Sequence, residues 1–238
     1  MSQKNLLIKT ANKLINKSDS KDTNKIEKIF ESYLEKHPTD IDMWLRMAVF
    51  ELCSIFSYYP KSLECIKKIL KLDQNNFEAI LLFACINHFH IPEYDMEVLE
   101  KLSRIKTDDL EKLSMIEYVK SWSYIRIEED NYKEIHGNLD GFYKSPENYK
   151  QYEQALKKSI NLYPYHVFNY KDLADLYSKF NRIVGIKSSV QLSSKLLKTA
   201  IKNVKIFYRE SDVYERDWTS VHEYFNELIK GTHTTAPY

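Results

Sequence analysis

Residues 152–177 read YEQALKKSINLYPYHVFNYKDLADLY. Tyr152, Leu156 and Ser159 are spaced to share one helix face, and Pro164 then interrupts the pattern. A second face follows in Tyr170, Leu173, Ala174 and Tyr177. The stretch therefore reads as the second helix of one hairpin, a short turn, and the first helix of the next. Ala174 is the critical position, because only Gly, Ala or Ser lets the two helices of a hairpin approach closely.

The same register returns along the chain. Ile26, Phe30, Pro38, Trp44, Met47 and Ala48 keep its offsets, as do Ser62, Ile66, Gln74, Ile80, Phe83 and Ala84. A fainter copy holds Met96, Leu110, Leu113 and Ser114, and a last one holds Ala200, Val204, Trp218, Val221 and Phe225. These residues resemble the tetratricopeptide repeat family, whose pattern is W-x2-L-G-x2-Y, then A-x3-F and a proline. The small positions Ala48, Ala84, Ser114 and Ala174 lie 36, 30 and 60 residues apart, so the copies are degenerate. The resemblance implies an all-α fold: a right-handed superhelical stack of antiparallel helix pairs, an α-solenoid spanning 1–238 as a single domain. His222 stands where a small residue belongs, which suggests that the helix of about 213–230 caps the stack.

Composition agrees. Four glycines and six prolines in 238 residues argue against sandwiches and barrels. The net charge of +1 gives no overall attraction to nucleic acid or anionic lipid. Lys9 breaks the only apolar run at the N-terminus, so no signal-peptide core is expected there, and no run reaches a membrane span. Cys53, Cys65 and Cys85 are odd in number and fall inside predicted helices, which points to a reducing, cytoplasmic setting.

Helices are expected at about 3–17, 24–36, 41–57, 61–72, 77–89, 93–105, 109–126, 148–162, 167–180, 187–208 and 213–230, with start signals at Thr39-Asp40, Thr107-Asp108-Asp109 and Ser211-Asp212. Residues 127–147, with Gly137, Gly141 and Pro146, read as an irregular insertion loop ordered by Tyr132, Phe142 and Tyr143. Residues 93–130 hold 11 acidic and 6 basic side chains, whereas 182–209 hold 7 basic and none acidic. Lys195, Lys198, Lys202, Lys205 and Arg209 fall on one helical stripe, an electropositive edge suited to an acidic partner or, in the alternative reading, to nucleic acid through helix 187–209.

No catalytic residue, metal ligand set or cofactor site is expected. Cys85, His88 and His90 lack a fourth ligand and do not share one helix face. His222-Glu223 begins like HExxH without its second His, and Gly137-x3-Gly141 lacks the Lys-Ser/Thr of a phosphate loop. Glu128-Glu129-Asp130 reads as a solvated loop charge run. An enzyme whose residues meet only in three dimensions is the remaining alternative.

The resemblance implies a protein or peptide partner bound along the first helix of each pair. The positions one and five after each anchor are Leu45 and Val49, Leu81 and Cys85, Glu111 and Met115, and Lys171 and Asp175. Leucine, valine and cysteine replace the polar residues with which chaperone-binding relatives clamp a terminal carboxylate, so an apolar groove is expected. Tyr165, just after Pro164, is a further surface candidate. The chain reads as a non-enzymatic binding protein, with a stoichiometric chaperone or a toxin-neutralising immunity protein as the suggested roles.

Overall fold

The structure is a computed structural model that describes residues 3–15, 20–53, 59–185, 187–210 and 218–230. The fold is all-α, with no strand among the described residues. The chain divides into two compact units at Ile105 and Lys106. The first holds α1 (Gln3–Ile15), α2 (Ser20–Leu34), α3 (Ile41–Cys53), α4 (Tyr59–Leu72), α5 (Phe77–Phe89) and α6 (Asp95–Arg104). The second holds α7 (Leu110–His136), α8 (Lys150–Leu162), α9 (Val167–Val184), α10 (Lys187–Glu210) and α11 (Trp218–Lys230). Within each unit consecutive helices pack side by side, most extensively α3 with α4, α7 with α8 and α9 with α10. Short connections make such neighbours antiparallel.

Helix starts follow local chemistry. Asp40 accepts the Met43 backbone N–H at 3.1 Å to cap α3, and also holds Tyr33 Oη and Lys4 Nζ, tying α1, α2 and α3 together. Asn76 accepts from the Ala79 N–H at α5, and Asp109 from the Glu111 and Lys112 N–H groups at α7. Each carboxylate or amide satisfies donors that the first helical turn leaves unpaired. The start signal Ser211-Asp212 lies outside the described residues. The turns share a second device: Trp44 Nε1–H donates to the Pro38 carbonyl and Tyr170 Oη–H to the Pro164 carbonyl, both at 2.9 Å.

Ala48, Ala84, Ser114, Tyr170 and Ala174 are buried as the register requires. Ser62 Oγ donates to the Ala48 carbonyl at 2.8 Å, and Ser159 Oγ to the Ser114 carbonyl at 2.6 Å, so the same contact closes α3 on α4 and α7 on α8. Two expectations need correction. Trp44 is only half-buried, because its indole N–H reaches out to the turn carbonyl. The fainter copy fails at Met96 and Leu110, which are exposed. Asp95 is drawn inward by Asn87 Nδ2 at 2.8 Å, which sets the phase of α6 so that Val98 and Leu102 pack and Met96 faces out. The side chains of Trp218 and Val221 lie outside the described residues.

The insertion loop is also shorter than expected. Residues 127–136 continue α7, which stops only at Gly137, where φ of +76° ends the helix in the left-handed region. Glu128 is thus helical, and its carboxylate accepts the Gln151 and Tyr152 N–H groups at the start of α8. Glu129 accepts Tyr143 Oη–H at 2.7 Å. The charge run is a helix-capping device. Beyond it, two short 3-10 turns bury Phe142 and Tyr149 against Leu156, Leu173 and Leu176.

Replacing Ala48 or Ala174 by Leu adds volume where no space exists and should destabilise the protein by about 1–3 kcal/mol. Thermal melts of both variants measure this; parental melting would show that neither residue sits at a close helix contact.

Candidate partner-binding faces

In the first unit, α5 has apolar residues on nearly every side. Ala79, Ile80, Phe83, Ala84 and Ile86 are buried, yet Leu81, Leu82 and Cys85 are only half-buried. On α3, Leu45 and Val49 are half-buried in the same way. α3 and α5 pack on each other, so these side chains belong to neighbouring first helices. A helix that is apolar all round normally lies wholly inside a protein.

Two histidines at the end of α5 make ring contacts. His90 stacks on Tyr59 with ring centroids 5.0 Å apart, and His88 meets Phe89 edge-on at 4.6 Å. Among the described residues no group of three or more His, Cys, Asp or Glu is placed to hold a metal ion. EDTA should therefore leave the melting temperature unchanged; a drop restored by zinc would reveal a metal site at Cys85, His88 and His90. Lys61 gathers Glu27, Glu31 at 2.7 Å and the buried Glu51 at 3.9 Å. Burial, with Glu51 beside it, pushes the Cys65 thiol up to about 12, so this thiol is unreactive at neutral pH.

The second unit presents different chemistry. Met115 on α7 is half-buried, and Tyr165 is half-buried edge-on to Tyr163 at 5.3 Å. Lys171 lies 3.4 Å from Asp172 and 3.3 Å from Asp175. Burial acts to lower the Lys171 pKa, but the two carboxylates outweigh it and hold the ammonium above the ordinary lysine value. Burial pushes the Asp172 carboxyl up, although Lys171 and a Tyr118 hydrogen bond oppose the change. Tyr224 of α11 also hydrogen-bonds Lys171. Tyr118, Asp172 and Tyr224 went unseen in the sequence, because three separate helices bring them together.

On α10, Lys195, Lys198 and Lys202 are exposed and line, with Val190 and Ser194, a concavity of about 630 Å³. The side chains of Lys205 and Arg209 lie outside the described residues.

A buried polar cluster joins α7, α8 and the turn before α9. Ser114 Oγ lies 2.8 Å from Ser159 Oγ and 3.1 Å from His166 Nδ1, and Asn169 Nδ2 donates to Ser159 Oγ at 2.7 Å. A serine beside an imidazole looks like a nucleophile with its base. Ser114 and Ser159 are nevertheless fully buried and tied to each other's backbone, so the cluster is a structural joint.

Burial pulls the His166 pKa down from 6.5 to about 4, so the folded state holds a neutral ring. Between these values the unfolded chain binds more protons, so this contribution is complete above about pH 6.5 and is lost as pH falls toward 4. The loss amounts to about 3 kcal/mol. Denaturant titrations at neutral and acidic pH should show His166→Gln losing less stability than the parent over that window; equal losses would mean that His166 is not buried as a neutral group.

No family model matches the sequence, and no curated protein matches it. Two solved structures of MamA are similar in fold. The first has a TM-score of 0.49 and 14% identity, covering 84% of this chain and 96% of that one. The second has a TM-score of 0.48 and 13% identity, covering 88% and 96%.

Proposed function

We propose that the chain is a non-enzymatic, tetratricopeptide-like binding protein that engages a protein partner through the first helices of its pairs. One observation carries this reading: α5 keeps Leu81, Leu82 and Cys85 half-buried on a helix whose other faces are already packed. With Leu45 and Val49 on α3 they supply apolar area that the described core does not absorb. In the second unit, Met115, Lys171, Asp175 and Tyr165 supply a mixed apolar, polar and aromatic surface. Lys195, Lys198 and Lys202, continued in sequence by Lys205 and Arg209, form an encounter edge for a negatively charged counterpart.

A surface of apolar area fits a stoichiometric role, as a chaperone for one client or an immunity-type inhibitor of a toxin. The thiols of Cys65 and Cys85 support a reducing, cytoplasmic setting.

Affinity capture from the native cell, with mass spectrometry, tests the reading when the parent is compared with Leu81→Asp. The aspartate places a charge on the apolar face, so the bound partner should dissociate at least about tenfold faster. A partner retained equally by both proteins would mean that this face does not bind it.

A further inference from the structure

α9 ends and α10 begins on exposed residues. Every described residue from 182 to 192 is exposed except Ser189, which anchors the start of α10. Four of the exposed residues are aliphatic: Ile183 at 46%, Val184 at 40%, Val190 at 49% and Leu192 at 48%. Ile183 and Val184 end α9, Gly185 turns the chain with φ of +75°, and Val190 and Leu192 follow in the first turns of α10. The segment 182–209 contains seven basic and no acidic residues, so every charged side chain of this stretch is basic. Arg182 and Lys187 flank the aliphatic residues, and Lys195, Lys198 and Lys202 continue down the exposed face that begins at Val190.

We infer that the exposed end of α9, the start of α10 and its outer face form a docking edge for an anionic lipid surface. This deepens the reading of the lysine stripe as an encounter edge by naming its counterpart. The side-chain types select lipid over the other polyanions. Protein interface cores favour aromatic residues, methionine and arginine and are poor in lysine. Single-stranded nucleic acid is held by aromatic platforms between its phosphate contacts. This face instead pairs exposed aliphatic side chains at the end of α9 and the start of α10 with lysines. Lysine keeps its ammonium among headgroup phosphates while its stem lies along apolar surface. Shallow insertion and electrostatic attraction together form the two signals that stable adsorption requires. The +1 net charge of the whole chain does not oppose this, because the attraction acts over about one Debye length and is set by the local patch.

The full-length protein should float with vesicles of equal parts phosphatidylcholine and phosphatidylserine at low salt, and at least about tenfold less with phosphatidylcholine alone. Lys195→Gln with Lys198→Gln should weaken partition to the mixed vesicles about 25-fold. Ile183→Asn with Val190→Asn should weaken it about tenfold, with circular dichroism confirming intact helices. No flotation, equal flotation with both lipids, or an aliphatic pair without effect would each overturn the inference. Retention of a single-stranded RNA oligomer in place of vesicles would overturn it in favour of nucleic acid. Leu81→Asp should leave flotation unchanged. Failure of flotation with Leu81-dependent partner capture intact would overturn the lipid edge alone, whereas loss of that capture would overturn the protein-binding face.

Discussion

Where α7 meets α8, Ser114 and Ser159 each place a hydroxyl against the other helix's backbone carbonyl, at 2.9 and 2.6 Å. Such geometry exists only if both side chains are small, because any γ-branched residue would hold the backbones apart. The interaction therefore sets helix separation, and separation sets which side chains can reach across. In the first unit Ser62 repeats it on the Ala48 carbonyl. A hydroxyl at this position satisfies its own hydrogen bond within a dry interface, where an unpaired donor would be costly.

From this constraint the polar details of the second unit follow. Close approach of α7 and α8 brings His166 against Ser114 and Asn169 against Ser159, forming a joint in which Ser114 meets residues 45 and 52 positions later in sequence. It also allows Glu128 to reach the first turn of α8. A carboxylate there offsets the positive end of the helix dipole as well as pairing free N–H groups. Residues that looked like a solvated charge run or a catalytic pair are thus part of how one hairpin is held shut.

The surfaces left over divide by chemistry. The first-helix face of the first unit is apolar, that of the second unit is mixed, and the exposed ends of α9 and α10 join aliphatic side chains to basic ones. Each is built from side chains that the helix-to-helix contacts do not consume. In a helical array such side chains can vary without changing the core, because the core is made by contacts between neighbouring helices.

The sequence by itself determined the helices, the pairing register and the identity of the buried small residues. These depend on local periodicity and on side-chain size, as Ala48, Ala84, Ser114 and Ala174 show. It also marked the caps Asp40 and Asp109, since capping needs only the right residue beside a helix start. It misjudged the end of α7, because Glu128-Glu129-Asp130 is compatible with a loop or a helix, and only the capping of α8 and the left-handed Gly137 decide between them. It misplaced Met96 because the phase of α6 is set by Asn87, on a different helix. Of the candidate faces, the lysine stripe was legible as spacing along one helix. The cluster of Tyr118, Lys171, Asp172 and Tyr224 was not, because those side chains lie on α7, α9 and α11. Only tertiary packing brings such residues within interaction distance, and only packing decides which apolar side chains remain at the surface.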